Sequence, residues 1–178
     1  MLEIYQPAED SFLLEKFVKK EIKKKSITKV LDMGTGSGIQ AEAAVKEGIN
    51  PKDITIADIN SRAIKLLKKK FPKSKLIQSD LFSKIPNNKK FDLIIFNPPY
   101  LPDHKFDNQP DTSGGKNGSR VINKFLKKTK SHLNKNGKIL LLTSNLTKNI
   151  NWQDYKRKLL GKKRIFFEEL YVWRLSVI

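Results

Sequence analysis

The spacing of apolar residues changes repeatedly along the chain, and these changes predict helices that alternate with strands. Apolar residues at 12, 13, 14, 17, 18 and 22 recur at helical spacing behind Pro7 and two acidic residues, which predicts a helix ending at about Lys25. Further helices are predicted at about 38–48, 60–71, 119–134 and 151–160. Strands are predicted at 30–33, 53–58, 75–78, 93–96, 137–143, 163–168 and 170–177.

This order of elements predicts one α/β domain covering residues 1–178. Strands that are joined through helices pair in parallel, whereas the two closing strand patterns follow each other directly and predict an antiparallel hairpin. Residues 1–25 are expected to form a helical segment that packs on the domain. Residues 101–118 carry no regular pattern, and a loop of this length in a compact domain is typical of a lid, so we predict a substrate lid there.

Composition narrows the kinds of site that the chain can build. The 178 residues include no cysteine and two histidines, which excludes disulfides and cysteine nucleophiles, disfavours a metal site and fits a cytoplasmic protein. No run of about 18 apolar residues exists, so no membrane segment is expected. The formal net charge is +18. Two interpretations of this charge stay open: contact with nucleic acid or a ribosome-associated partner, or a solvated lysine-rich surface.

Polar side chains stand where four of the predicted strands end. Asp32, Asp58, Asp80 and Asn97 each lie at a predicted carboxyl end, and ligands of parallel α/β sheets bind at that edge. The glycine-rich turn at 34–38 lets the backbone approach a ligand closely and opens a helix. Asp58 follows the first of these glycines at the spacing expected of a carboxylate that accepts from ribose hydroxyls. The pattern predicts a nucleotide-like cofactor.

The stretch Asn97-Pro98-Pro99-Tyr100 follows a buried strand and predicts a rigid tip. Neither proline can extend the strand, because proline lacks the N–H group and fixes its own φ. The tip presents the Asn97 side-chain oxygen, the Pro98 carbonyl and the Tyr100 ring. Two acceptors beside an aromatic face suit a planar NH2 group on a conjugated system, which predicts an amide or nucleobase amino group as the substrate.

Taken in order, these features resemble the class I S-adenosylmethionine-dependent methyltransferases that carry an Asn-Pro-Pro-Tyr motif. The segments 5–14 and 114–118 narrow the resemblance to the short, archaeal and eukaryotic type of HemK protein-glutamine methyltransferases. That resemblance covers nearly the whole chain. It implies a Rossmann-like fold with a mostly parallel seven-stranded sheet, helices on both faces and a C-terminal antiparallel hairpin. Because the glycine turn begins at residue 34, the extra helical domain of bacterial relatives is not expected here.

The resemblance also implies roles for individual residues. It places the catalytic motif at Asn97, Pro98, Pro99 and Tyr100. It implies that S-adenosylmethionine is bound by Asp10, Ser11, Asp32, Gly34, Gly36, Gly38, Asp58, Asp80, Leu81 and Asn97. Within that set, Asp10 and Ser11 would contact the methionine part, Asp32 the amino group, Asp58 the ribose, and Asp80 and Leu81 the adenine. The substrate would be contacted by Asn97, Pro98, Tyr100, Gly114 and Gly115.

Members of this type methylate the glutamine of the Gly-Gly-Gln motif in class I release factors, which is therefore the implied partner. They work with a small zinc-containing activator subunit, and the strand at 75–78 would accept it if that strand is the sheet edge. Three other functions stay open. They are an N-methyltransferase of adenine or guanine amino groups in nucleic acid, a non-catalytic basic binding subunit, and a dinucleotide-dependent dehydrogenase, which gives the Pro-Pro tip no role.

Overall fold

The computed structural model describes residues 4–24, 26–103 and 114–178. These residues form four helices, α1 (Glu9–Ile22), α2 (Ile39–Lys46), α3 (Ser61–Lys70) and α4 (Arg120–Thr129), with short 3-10 turns at Pro51–Asp53 and Lys130–His132. The strands are β1 (Val30–Met33), β2 (Ile54–Asp58), β3 (Lys75–Gln78), β4 (Phe91–Phe96), β5 (Leu133–Ser144), β6 (Tyr155–Ile165) and β7 (Glu168–Val177). Of the predicted lid, residues 104–113 lie outside the described residues.

The strands form one seven-stranded sheet in the order β3-β2-β1-β4-β5-β7-β6. The first five strands of this order pair in parallel, whereas β7 pairs antiparallel with both β5 and β6. The predicted α/β class, the seven-stranded, mostly parallel sheet and the closing antiparallel hairpin are confirmed. Since β1 to β5 run in one direction, their carboxyl ends meet at a single edge of the sheet.

The core is built on the apolar run of β4, whose central residues Leu93, Ile94 and Ile95 are fully buried. Successive side chains of a strand point to opposite faces, so burial of three in a row means that both faces of the sheet are covered. On one face, the Phe96 ring packs against Phe125 of α4, with centroids 4.5 Å apart. This packing holds the end of β4, and the residues that follow it, in a fixed position.

Helix α1 is attached to the sheet through a buried charge. Glu21 is 2% exposed and pairs with Lys24, Lys138 and Arg174, the last two on β5 and β7. Burial raises the pKa of Glu21, but hydrogen bonds from Lys24 and Lys138 outweigh it and hold the pKa below its usual value. The pairing ties the carboxyl end of α1 to two strands, which leaves the amino end of the helix at the edge where the parallel strands end.

Three predicted elements differ from the structure in type or in bounds. The predicted strand at 163–168 covers only the end of β6 (Tyr155–Ile165), a turn at 166–167 and the first residue of β7. The predicted helix at 151–160 is absent, and β6 (Tyr155–Ile165) occupies most of that range as the outermost strand beside β7. The many lysines of this strand obscure the alternation of apolar and polar residues that would identify it. Its hydrogen bonds are made to β7, and the spacing of residues in the sequence does not show which strands will pair. The predicted helix at 119–134 ends early, because α4 stops at Thr129 and β5 already begins at Leu133. No helix in the described ranges is long and apolar enough to cross a membrane.

Candidate active site

A cavity of about 250 Å³ opens at the edge where the parallel strands end. Most of the sequence-predicted residues line it, namely Asp10, Ser11, Asp32, Gly34, Gly36, Asp58, Asp80, Leu81, Asn97, Pro98, Pro99 and Tyr100. Four of these are aspartates, and none of the described lining residues is a lysine or an arginine. In a chain with a formal net charge of +18, this cavity is a local region of negative charge.

Asp32 and Asp58, two buried aspartates of the cavity, are held by hydrogen bonds from the glycine turn and the residues near it. Asp32 accepts hydrogen bonds from the Thr35 hydroxyl at 2.6 Å and from the backbone N–H of Ala41 at 3.1 Å. Burial nevertheless raises the pKa of Asp32 to about 7. Asp58 accepts from the backbone N–H groups of Gly36 and Asn60, each at 2.8 Å, and burial raises its pKa as well. Both carboxylates therefore gain from a bound cation.

The glycines of the turn have different roles. Gly34 lines the cavity with φ +60°, and a Cβ atom there would meet the Phe96 ring at 3.1 Å. Gly38 also has positive φ, but a Cβ atom there would lie 2.8 Å from Leu67 of α3. Gly38 is absent from the cavity lining, so it serves the packing of α2 on α3 rather than ligand contact.

The segment after β3 forms the far side of the cavity. Leu81 has φ +48°, a conformation that costs energy for a branched residue and that is concentrated at functional sites. The Ser79 hydroxyl holds it by donating to the Leu81 carbonyl at 2.7 Å. Asp80 is half exposed at the rim and pairs with Lys124 of α4 at 2.6 Å. Leu81 thus offers an apolar surface inside the cavity, while Asp80 lies at its mouth.

The tip at 97–100 carries the acceptor that the sequence predicts. The Asn97 side chain donates from Nδ2 to Asp10 Oδ2 at 2.9 Å. Its Oδ1 is buried and has no hydrogen-bond partner in the described part of the chain. A buried amide oxygen without a partner is costly, and an external N–H donor would satisfy this atom. The Tyr100 side chain, 8% exposed, lies beside it in the wall of the cavity.

Gly114 and Gly115 lie behind the tip and do not line the cavity. The Gly114 N–H donates to the Leu101 carbonyl at 2.7 Å, and the Asp103 N–H donates to the Gly115 carbonyl at 3.2 Å. A Cβ atom on Gly114 would lie 2.6 Å from the Pro99 carbonyl oxygen. The glycine segment therefore supports the tip from the back, backbone against backbone. Neither glycine is part of the cavity wall, and their contact with a substrate stays a prediction.

Two residues of the site were not assigned a role from the sequence. The Tyr5 hydroxyl donates to Asp10 Oδ2 at 3.0 Å, and its ring lines the cavity. Gln40, 3% exposed, donates from Nε2 to the Ser11 carbonyl at 2.9 Å, and its Oε1 is buried without a partner among the described residues. The position of Gln40 in the first turn after the glycine turn is a signal that could have indicated it.

Comparison with known proteins agrees with this geometry. The model of the methyltransferase small domain family matches residues 10–151. A Methanocaldococcus jannaschii protein, provisionally named a protein N5-glutamine methyltransferase, is 36% identical over 97% of this chain and 93% of its own length. A Rhodopirellula baltica release factor glutamine methyltransferase is 30% identical over 63% of this chain, but this match spans only 43% of that longer protein.

Among solved structures, a chain of the Mtq2–Trm112 complex of E. cuniculi superposes with a TM-score of 0.72 at 25% identity, covering 98% of both chains. That complex is described as responsible for methylation of the eRF1 translation termination factor. The match covers the C-terminal hairpin as well as the parallel part of the sheet, so the whole described architecture is shared.

Proposed function

Because the chain belongs to the methyltransferase small domain family, we propose that it transfers the methyl group of S-adenosylmethionine to a glutamine side-chain amide, in the Gly-Gly-Gln motif of a class I release factor. The observation that carries this proposal is the buried, unpartnered Asn97 Oδ1 in the wall of an acidic cavity. The named activities of the M. jannaschii and R. baltica relatives support the choice of glutamine.

The donor set of the cavity fits S-adenosylmethionine, which carries a sulfonium and an ammonium group. Asp32 and Asp58 would hold the amino group and the ribose hydroxyls, and Leu81 would contact the adenine. Gln40 Oε1 adds an unpartnered acceptor near the Ser11 end of the cavity. A dinucleotide is disfavoured, because its pyrophosphate would face aspartates with no described cation in the lining. When bound, S-adenosylmethionine supplies an electrophilic methyl group.

The residues of the tip would act on the acceptor nitrogen. An amide nitrogen is a poor nucleophile because its lone pair is delocalised into the carbonyl group. Asn97 Oδ1 and the Pro98 carbonyl would each accept one N–H of the glutamine NH2 group, which orients the nitrogen and favours its loss of planarity. The Tyr100 ring would pack against the plane of the amide. Positioning and preorganised polar groups would thus supply most of the rate enhancement, without a strong base before methyl transfer.

The proposal is tested with a labelled methyl donor and separate acceptors. We expect label in a class I release factor and none in the same factor with its motif glutamine replaced by alanine. RNA and DNA are included because the adenine and guanine amino groups also fit the tip, and because the exposed strand β6 carries Lys156, Lys158 and Arg164. Label in nucleic acid but not in the release factor would contradict the proposal and establish the alternative.

Binding of the methyl donor should depend on pH through Asp32. Since burial raises the pKa of Asp32 to about 7, this carboxyl is mostly protonated at pH 6 and mostly ionised at pH 8. A protonated Asp32 attracts the ammonium group less, so affinity should fall by up to about tenfold per pH unit below 7. Calorimetric titration from pH 5.5 to 8.5 measures this. Asp32→Asn should bind weakly with a flatter profile, and a flat wild-type profile would contradict the prediction.

We further propose that a small activator subunit, zinc-containing in the type that the chain resembles, adds a strand to β3. β3 is the edge of the sheet, as the sequence-based proposal requires, and the E. cuniculi match comes from a two-protein complex. Two exposed apolar side chains lie beside this edge. Leu66 of α3 is 56% exposed. Ile59 is 58% exposed and also lines the cavity, and its carbonyl accepts from Gln78 of β3. An unpaired strand next to apolar surface is suited to pairing with another chain.

The proposed contact of the activator subunit with β3 and Leu66 is tested by placing a charge at Leu66. Leu66→Asp should weaken copurification of the subunit and reduce its stimulation of activity at least tenfold, with cofactor affinity unchanged. Leu159→Asp is the matched control, because Leu159 is 41% exposed on β6 at the opposite edge of the sheet. Equal effects of the two variants, or full activity of the chain alone, would count against an activator at β3.

A further inference from the structure

We infer that Asp10 is a positioning residue that sets the orientation of the Asn97 side chain, and so decides which of its two polar atoms faces the acceptor nitrogen. The expected effect of Asp10 on kcat rests on the proposed function, whereas its effect on the orientation of the Asn97 side chain does not. The resemblance implied a different role for Asp10, contact with the methionine part of the cofactor. The hydrogen bonds in the structure connect it instead to the catalytic tip.

An asparagine side chain can be turned by 180° with little change of shape, and the turn exchanges an acceptor for a donor. Only one orientation suits a substrate that presents N–H groups. With Nδ2 at 2.9 Å from Asp10 Oδ2, Asn97 leaves Oδ1 free of any described partner in the cavity wall. An ionised carboxylate can only accept, so the turned orientation would place two oxygen atoms against each other. Asp10 therefore makes the reactive orientation the stable one.

Asp10 is itself held so that it can act in this way. It is 4% exposed, and both of its oxygens accept from protein donors. Oδ1 accepts from the backbone N–H and the hydroxyl of Ser11, and Oδ2 accepts from Tyr5 and Asn97. A carboxylate offers about four acceptor positions, so these four donors use them. Little capacity remains for an ammonium group, which favours the positioning role over the cofactor contact.

Asp10 faces hydrogen-bond donors and the amino end of a helix. Asp10 lies in the first turn of α1, where the helix dipole stabilises a negative charge. Burial, and then the nearby Asp10 charge, raise the pKa of Tyr5 and of Tyr100 far above the usual value. Both hydroxyls therefore keep their protons, and that of Tyr5 donates to Asp10. A charge-assisted hydrogen bond to Asn97 in a buried position is stronger than one between neutral groups.

The kinetic test is a double-mutant cycle between Asp10 and Asn97. Asp10→Asn keeps the shape of the side chain and removes its charge. In the wild-type background it should lower kcat about 10- to 100-fold, as expected for the loss of one charge-assisted hydrogen bond, while the dissociation constant of S-adenosylmethionine changes less than about threefold. In the Asn97→Ala background the same change should lower kcat by less than about threefold, because Asp10 acts through Asn97. Glu9→Gln removes a neighbouring exposed charge and should leave kcat unchanged.

Equal losses in the two backgrounds would overturn the inference, and so would a loss that appears only as weaker cofactor binding. A second measurement, hydrogen exchange of side-chain amides, uses the wild-type protein and does not depend on its activity. In the 15N-labelled wild-type protein, the Asn97 side-chain NH2 should exchange its hydrogens at least tenfold more slowly than that of Asn88, which is exposed. Equal exchange rates would also overturn it. If no methyl transfer to glutamine is found but the slow exchange is observed, the proposed function fails while the hydrogen bond by which Asp10 holds the Asn97 side chain stands.

Discussion

Replacing Asn97 with alanine should lower the rate of methyl transfer about 10²- to 10³-fold, and this is the largest effect on activity that the site predicts. The variant removes the buried Oδ1 acceptor, which has no described protein partner to lose. Its loss should therefore appear in the transition state rather than in folding. Loss of one such preorganised polar group is worth about 3–4 kcal/mol in comparable sites. Affinity for S-adenosylmethionine should stay within a few-fold of wild type, because Asp32 and Asp58, which are proposed to hold it, are unchanged.

Single-turnover methylation of a release factor measures the rate, and calorimetry measures the cofactor. Asn88→Ala, in an exposed turn away from the cavity, is the matched control and should behave as wild type. The variant also leaves Asp10 buried without one of its four donors, so a small decrease in stability is expected and must be measured by denaturant unfolding. Parallel losses of cofactor affinity and turnover would show that Asn97 has a structural role and would contradict the mechanism.

The sequence alone predicts the strands and the site residues that are defined by a local pattern. Three fully buried apolar residues in a row identify β4, and the polar residues at the strand ends are brought together because parallel strands finish at one edge. Asp32, Asp58 and Asn97 all line one cavity for this reason. Topology alone makes this result predictable, since it requires only the direction of the strands and not their side-chain packing.

Contacts between distant parts of the chain could not be predicted in the same way. Asp10 and Asn97 are 87 residues apart, and nothing in either local sequence indicates a hydrogen bond between them. The helix predicted at 151–160 failed for a related reason, because the neighbour that makes Tyr155–Ile165 a strand is β7. The resemblance implies that Gly114 and Gly115 contact the substrate, whereas the support they give to the tip depends on the tip backbone lying directly against them. The spacing of apolar residues predicts helices, strands and the ends of the strands. Which distant residues contact each other depends on tertiary packing, which the spacing does not show.

The backbone of the tip packs directly against the glycine segment at 114–118, and a substitution in that segment has the largest expected effect on the free energy of unfolding. Gly118 has φ +71°, and a Cβ atom there would lie 2.2 Å from the Tyr100 carbonyl oxygen, which is backbone and cannot turn aside. Gly118→Ala should therefore combine the cost of a left-handed conformation, about 1–2 kcal/mol, with an overpacking cost of about 1–3 kcal/mol. Any relief requires the tip to move, and a displacement of about 1 Å at a catalytic group can cost about 100-fold in rate.

A substitution at a second glycine distinguishes the conformational cost from the overpacking cost. Gly48 has φ +97°, but a Cβ atom there would meet nothing within 4 Å. Gly48→Ala should therefore lose only the conformational part, about 1–2 kcal/mol, and keep full methyl transfer. Denaturant unfolding gives the free energies, and the difference between the variants isolates the contact with the tip. If Gly118→Ala were no less stable than Gly48→Ala and equally active, the segment at 114–118 would not be the support of the tip at 97–100, and the rigidity of the tip would have to come from its two prolines alone.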